Sequence, residues 1–340
     1  MDLSEQQTVH YCSDSGNASC FREIRATSVC VILYLISGAV VMITIAGNLV
    51  VIISISHFKQ LHTPTNLLVL SLAVADLLVG AIVMPFTVIQ SIETCWDFGH
   101  IFCFFYTFCL VLLTSASVNN LVLIAVDRYF ALCDPFFYSS KITNNLTLLL
   151  ILFSWIIALC YTVAVVYFKV NLEDAEGFNK CSNNCLFVLS PAWGLIDLMV
   201  SFLLPCFAML CLYTRIFFVV KKHIRAIHSV TAQVGANNGK QKVASFSERK
   251  AAKTLGIVVI VFFICWVPYH ICTIIDSYMD YSVPSLLMYI FSWLIYINSG
   301  MNPIIYALFY PWFKKSSKLI ITLKICSHAS SLINLFSESH

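Results

Sequence analysis

Residues 65–90 read TNLLVLSLAVADLLVGAIVMPFTVIQ, twenty-six residues in which only Asp76 can ionise. About 20 apolar residues cross the hydrocarbon core of a bilayer as a helix, so this run is long enough to span and carries a charge into the interior. Strand-length alternation of the kind a membrane barrel needs is absent from it. Working outward, comparable runs lie at Val29–Ser56, Phe102–Val126, Leu146–Phe168, Pro191–Val219, Thr254–Ile275 and Pro284–Phe309. Composition agrees: 59% of the 340 residues are hydrophobic and 11% charged, where soluble domains hold about 25% charged residues. Too few charges remain to solvate a water-facing surface, so lipid must cover much of the chain. Most of the fifteen cysteines fall inside the apolar runs, where they read as small hydrophobes rather than a disulfide scaffold. The expected fold is an all-α integral membrane protein, a bundle of seven transmembrane helices.

An odd number of spans places the termini on opposite sides. Sixteen Lys and Arg residues follow spans one, three, five and seven, from Lys59 and Arg128 to Lys324, against Arg22, Arg25, Lys169 and Lys180 on the other side. The positive-inside rule then sets the N-terminus outside and the C-terminus in the cytoplasm. The chain divides into an extracellular tail (1–28), the membrane domain (29–309) and a cytoplasmic end (310–340). The tail is polar without an apolar core, so it does not read as a cleavable signal peptide. Asn17-Ala18-Ser19 in it is a glycosylation acceptor; Asn145-Leu146-Thr147 lies on the wrong side. The long loop near 217–253 carries Lys221-Lys222 and Arg249-Lys250, which suit both anionic lipid and a docked protein partner. No repeat, separate domain or nucleic-acid-binding feature appears.

Polar residues inside membrane helices are costly and mark function. They occur here as Leu72-Ala73-Val74-Ala75-Asp76-Leu77 on span two, Asp127-Arg128-Tyr129 at the end of span three, Phe262-Phe263-Ile264-Cys265-Trp266-Val267-Pro268-Tyr269 on span six, and Asn298-Ser299-Gly300-Met301-Asn302-Pro303-Ile304-Ile305-Tyr306 on span seven. In this order and on these spans the motifs resemble the rhodopsin-like family of G protein-coupled receptors. Arg128 at the cytoplasmic mouth has two candidate partners, Asp127 beside it and Glu248 at the start of span six. Pro268 and Pro303 each remove a backbone donor and bend their helices, which suits a two-state device.

The resemblance implies further roles. Tyr129, Tyr213, Asn302, Pro303 and Tyr306 join Asp127, Arg128 and Glu248 in the switch that couples to a G protein. Asn48, Asp76, Ser117, Asn298 and Asn302 match a polar cluster that often holds a sodium ion, the alternative being a protonated Asp76 without an ion. Cys103 and Cys185 match the family's disulfide, and Cys181 then needs another partner, with Cys20 the first choice and Cys12 the second. Pro311–Leu323 matches a short cytoplasmic surface helix, after which Cys326 is a candidate palmitoylation site. No other cofactor or metal is expected.

Residues 298–313, the paired loop cysteines, Cys133-Asp134-Pro135 after Asp127-Arg128-Tyr129, and Trp293 with Tyr296 resemble the trace amine-associated receptors. That likeness implies an olfactory receptor in the plasma membrane for a small amine, coupled to a stimulatory G protein that raises cyclic AMP. One departure stands out. Amine receptors carry an aspartate on span three eighteen residues before the arginine, and here that position is Leu110. Span five instead holds Asp197, six residues inside Pro191 and thus about 9 Å along a helix, with Ser201 one turn further. This resembles a fish group of these receptors in which the span-five aspartate replaces the other. The expected binding site is Asp197, Ser201, Leu110, Thr114, Trp266, Tyr269, His270, Trp293 and Tyr296, with Thr107 and Cys109 beside them. An internal Asp197–His270 pair and a protonated Asp197 are the competing readings. A transporter would show a continuous polar path or repeated halves, and an enzyme a metal cluster or nucleophile–base set; neither is visible. The remaining alternatives are a conventional neurotransmitter amine receptor, against which Leu110 speaks, and a receptor for a non-amine ligand.

Overall fold

The computed structural model describes residues 12, 25–93, 95–176, 185, 191–234, 239–278, 283–327 and 330–335, which form helices, turns and connecting segments without a strand. Seven long helices follow one another. Helix α1 is Thr27–His57. Helix α2 runs over Pro64–Glu93 with a π-helical turn at Val79–Val83. Helix α3 is Gly99–Cys133 and α4 Asn144–Glu176. Helix α5 comprises Pro191–Asp197, a π-helical stretch Leu198–Leu203, and Leu204–Val234. Helix α6 is Gly239–Tyr278, α7 Ser285–Phe309, and the short α8 Pro311–Ile321.

Length and composition qualify α1 to α6 as membrane spans. Helix α7 has 25 residues and no Asp, Glu, Lys or Arg, but Asn298, Asn302 and several Ser and Tyr residues lower its hydropathy. Its polarity is directed inward: Asn298, Ser299 and Asn302 are buried. The outer surface is the reverse, with Leu35, Phe153, Phe207 and Ile264 all more than half exposed. In water such a surface would be an aggregation liability; lipid is its solvent.

Local sequence explains where the connections fall. Thr63 accepts a hydrogen bond from Asn66 N, with Pro64 at the first position of α2. Asp134 does the same for Phe137 N ahead of Pro135, opening a short helix Pro135–Lys141 after α3. Ser, Thr, Asp and Asn before a first-turn proline satisfy donors that the helix start leaves unpaired. Gly99 begins α3 with φ +78, a conformation in which side-chain-bearing residues are strained.

Helix α3 packs on α2, α4 and α5, while α1 closes the ring against α2 and α7. Gly47 makes the α1–α7 approach possible, since a Cβ there would lie 2.9 Å from Pro303 Cβ. Among the described residues two large apolar clusters fill the bundle, with a small one of Ala75, Ala116 and Ala158 beside them. The outer one includes Val83, Trp96, Tyr106, Cys185 and Tyr296, and the inner one Phe58, Leu72, Phe262, Tyr306 and Trp312.

Among the described residues two disulfides stitch the outer side: Cys103–Cys185, as the family resemblance implies, and Cys12–Cys95. The second corrects the alternative that paired Cys12 with Cys181. Cys20, Cys181 and Asn17 lie outside the described residues. On the cytoplasmic side the chain turns back after α8. Gln60 donates to Ile333 O (3.0 Å) and accepts from Leu335 N (3.2 Å), His57 Nε2 meets Ser330 Oγ at 2.9 Å, and Leu335 is 2% exposed.

Candidate functional site

Helices α3 to α7 enclose a cavity of about 870 Å³ with its open part included. Leu110, Thr114, Asp197, Ser201, Trp266, Tyr269, His270 and Tyr296 all line it, so eight of the nine residues assigned to binding from sequence come together. Trp293 does not. Its indole reaches Ser91 Oγ at 3.4 Å and its ring meets Tyr296 edge-on, so it supports the wall from behind. Thr107 and Cys109 are buried outside the lining, Cys109 within the outer apolar cluster. A helix turns by 100° per residue, so Cys109 faces away from the side shared by Leu110 and Thr114.

Asp197 stands at the last residue before the π stretch of α5. Its Oδ1 accepts the phenol of Tyr161 from α4, and Ser201 Oγ donates to the Asp197 backbone carbonyl at 2.7 Å. Among the described residues no ion pair or hydrogen bond joins Asp197 to His270. In place of the competing reading, an internal pair with His270, Asp197 has a contact to Tyr161. His270 is instead held by rings, stacked on Phe202 at 4.4 Å and on Trp266 at 5.9 Å. Sequence reasoning missed Tyr161, Ile157 and Ala158 on α4 and Ser115 and Asn119 on α3, which line the same cavity. A phenol within a span otherwise rich in Leu and Ile was the one signal available for Tyr161. A neutral donor satisfies a carboxylate lone pair without cancelling its charge, whereas a histidinium would cancel it.

Below the cavity Asp76 is fully buried. Ser117 Oγ donates to its Oδ1 (2.8 Å) and Asn302 Nδ2 to its Oδ2 (2.7 Å). Buried polar groups need such partners. Asn298 is buried on α7 without a hydrogen bond to Asp76, and Asn48 donates instead to Thr44 O and Ser299 O. The cluster thus has three of its five expected members in direct contact.

At the cytoplasmic end Arg128 binds Asp127 through Nε (2.9 Å) and Nη2 (2.5 Å). Asp127 also accepts from Thr65 Oγ1 at 2.8 Å and Tyr138 Oη at 2.9 Å. Burial first, and the Asp127 carboxylate as well, push the Tyr138 phenol up from its ordinary pKa against the opposing pull of Thr65 and Arg128. Arg128, Tyr213 and Tyr306 line a small internal cavity with Phe262 and Tyr310. Tyr129 lies outside that lining, edge-on to Phe130, and Pro303 sits within α7 against α1. The Glu248 side chain lies outside the described residues, so the partner in view is Asp127. Thr65 and Tyr138 were not foreseen, being ordinary residues next to loops.

This architecture has a recognised class. The family model described as 7 transmembrane receptor (rhodopsin family) matches residues 47–306, and the chain belongs to that family. Its type is that of the trace amine-associated receptors. Trace amine-associated receptor 13c of Danio rerio is 46% identical over 341 residues, covering 99% of each chain. Trace amine-associated receptor 6 of Pan troglodytes is 42% identical, covering 97% of this chain and 96% of the relative. Trace amine-associated receptor 4 of Mus musculus is 40% identical, covering 96% and 95%. These relatives are receptors, not enzymes, and the family implies a small ligand outside and a G protein inside. The chain is a multi-pass plasma-membrane protein with its N-terminus extracellular and its C-terminus cytoplasmic.

Proposed function

We propose that this receptor detects a small amine whose ammonium pairs with Asp197, and that it activates a stimulatory G protein to raise cyclic AMP in olfactory neurons. The observation that carries the reading is that Asp197 is the one carboxylate lining the cavity among the described residues. A carboxylate at membrane depth is costly, and a ligand cation offsets that cost. Leu110 lines the cavity where a span-three aspartate would stand in conventional amine receptors, which favours the olfactory reading over a neurotransmitter one. The test is a panel of amines applied to transfected cells with a cyclic AMP readout. Asp197→Asn keeps the side-chain volume and removes the charge, so amine activation should vanish. A response of unchanged potency would overturn the assignment and point to a ligand held by the aromatic wall, which need not be an amine.

Further parts of the proposal concern other sites. The carboxylate of Asp76 and the hydroxyl of Ser117 supply oxygen donors that fit a small monovalent cation, with Asn302 orienting the carboxylate. A glycan on Asn17, a Cys20–Cys181 bridge, acylation of the exposed Cys326 and contact of Lys221-Lys222 with anionic lipid complete the membrane picture.

A further inference from the structure

The cavity does not end at its helical walls. Ile157 of α4 and Val200 of α5 both line it, and both are also exposed on the outside of the bundle, at 46% and 43%. A side chain that borders the cavity and the outer surface at once marks an opening between them. The neighbouring seam shows what closure looks like: Ala116 of α3 and Ala158 of α4 pack there with no exposure at all. Helices α4 and α5 each pack along α3, but among the described residues they meet each other only sparsely. A hydrogen bond from Tyr161 Oη to Asp197 Oδ1 crosses between them. Ile157 lies one turn inward of Tyr161 on α4, and Val200 lies inward of Asp197 on α5.

Inward of that bond the cavity has an apolar branch, lined by Val118, Ile157, Ala158, Val200 and Pro205. Asn119 stands beside them, but its amide donates to Ser154 O on α4 (3.3 Å). Pro205 is eight residues past Asp197, or about 12 Å deeper, which places the branch within the hydrocarbon layer rather than at its border. Apolar space of this kind stays dry, because water needs polar partners. Left empty, its walls forfeit the dispersion contacts that a filled interior supplies. On the other side of the opening lies the lipid-covered surface, where Leu204 and Phe207 are more than half exposed. Lipid chains are apolar, narrow and flexible, and the branch is continuous with them.

We propose that an acyl chain of a bilayer phospholipid enters between α4 and α5, passes Ile157 and Val200, and fills the branch as far as Val118 on α3. The ligand site then rests on lipid on one side, beneath Asp197 and Tyr161. The proposal holds whichever ligand Asp197 takes.

The test is photolabelling of the full-length receptor in nanodiscs of palmitoyl-oleoyl phosphatidylcholine, doped with a phosphatidylcholine that carries a diazirine midway along one chain. After irradiation without any amine, adducts are located by peptide mass spectrometry. Phe207, on the outside of α5, is the positive control. Val118 is the informative residue, since it is 3% exposed and stands behind the opening. Labelled Val118 is expected in the unaltered receptor. Ile157→Trp and Val200→Trp each narrow the opening from one side, at positions with room on the lipid face. Either should cut the Val118 adduct at least fivefold while Phe207 is labelled as before. Phe207 labelled with Val118 bare in the unaltered receptor overturns the inference, and so does a Val118 adduct that neither substitution reduces. A second arm replaces the lipid probe with a diazirine-bearing hexylamine. Val118 labelled by the amine and not by the lipid gives the branch to the ligand and also overturns the inference. No step needs an amine response, so failure here leaves the Asp197 reading intact. Failure of Asp197→Asn to silence the receptor likewise leaves the lipid site standing.

Discussion

Tyr161 shows how a single neutral hydroxyl sets the terms of recognition. Its phenol holds Asp197 from α4, and a hydrogen bond to a charged acceptor contributes about 1.5–3 kcal/mol. Tyr161→Phe keeps the ring and loses the donor, so amine potency should drop roughly tenfold at unchanged surface expression, read by dose–response. Unchanged potency would mean that the ligand alone orients the carboxylate. The aspartate itself was legible from sequence because charge is rare in a span. Its partner was not, because contact between α4 and α5 is a tertiary fact and many tyrosines compete for the role. The same holds at the cytoplasmic mouth, where Asp127 gathers Arg128, Thr65 and Tyr138. Asp127→Asn should raise basal cyclic AMP several-fold, since a released restraint shifts a two-state equilibrium only by its differential energy. Tyr138→Phe should raise it less, because Thr65 and Arg128 remain. Glu248→Ala extends the comparison: basal signalling equal to the unaltered receptor would assign the restraint to Asp127 alone.

Between helices, close approach is bought by small residues. Gly47 faces Pro303, and a Cβ on Gly300 would meet Thr44 Oγ1 at 2.7 Å, so α1 and α7 touch at the very proline that bends α7. Small residues let membrane helices pack closely. Gly47→Val should therefore push the pair apart and lower surface expression, measured by antibody labelling of intact cells. Gly38→Val is the control, since nothing lies within 4 Å of a Cβ there, and its expression should match the unaltered receptor. Both prolines could be read in the sequence, because any proline in a span breaks the ladder. The glycine opposite could not, since Gly38 and Gly47 look alike without their neighbours. The outer bridge at Cys12 and Cys95 behaves similarly. Cys12→Ser and Cys95→Ser should reduce surface expression to the same degree, and the double variant no further. Peptide mapping that finds Cys95 as a free thiol would remove the bridge.

For the molecule as a whole, the spans, their number and their orientation were readable because the bilayer demands an unmistakable length of apolar sequence and segregates Lys and Arg. Every expected span lies within a helix except for Pro284, which caps α7. The helices also run on past the apolar stretches, as α6 does from Gly239, since backbone hydrogen bonding does not end where lipid does. What escaped notice is where the chain returns on itself. The segment ending at Leu335 gave no signal in its composition, yet Gln60 clamps its backbone with both ends of one amide and Lys315 adds a bond to Asn334 O at 2.7 Å. The Gln60 contacts join residues 273 and 275 apart in sequence and follow only from the finished fold.

The π stretch Leu198–Leu203 lies immediately inward of Asp197, and a similar turn at Val79–Val83 follows Asp76. A π turn holds one residue more than an α turn, so it is the place in a helix where the loss of one codon leaves an unbroken ladder. Orientation is what is kept. With Val200 removed, the wide turn tightens to an α turn of nearly the same total rotation, and Asp197 stays on the cavity wall. Two genes differing by three nucleotides here would both encode inserted receptors that sense charge. A Val200 deletion that reaches the surface and no longer answers amines would refute this. In comparing relatives of this chain, a gap between 198 and 203 therefore marks a tolerated loss rather than a change of ligand.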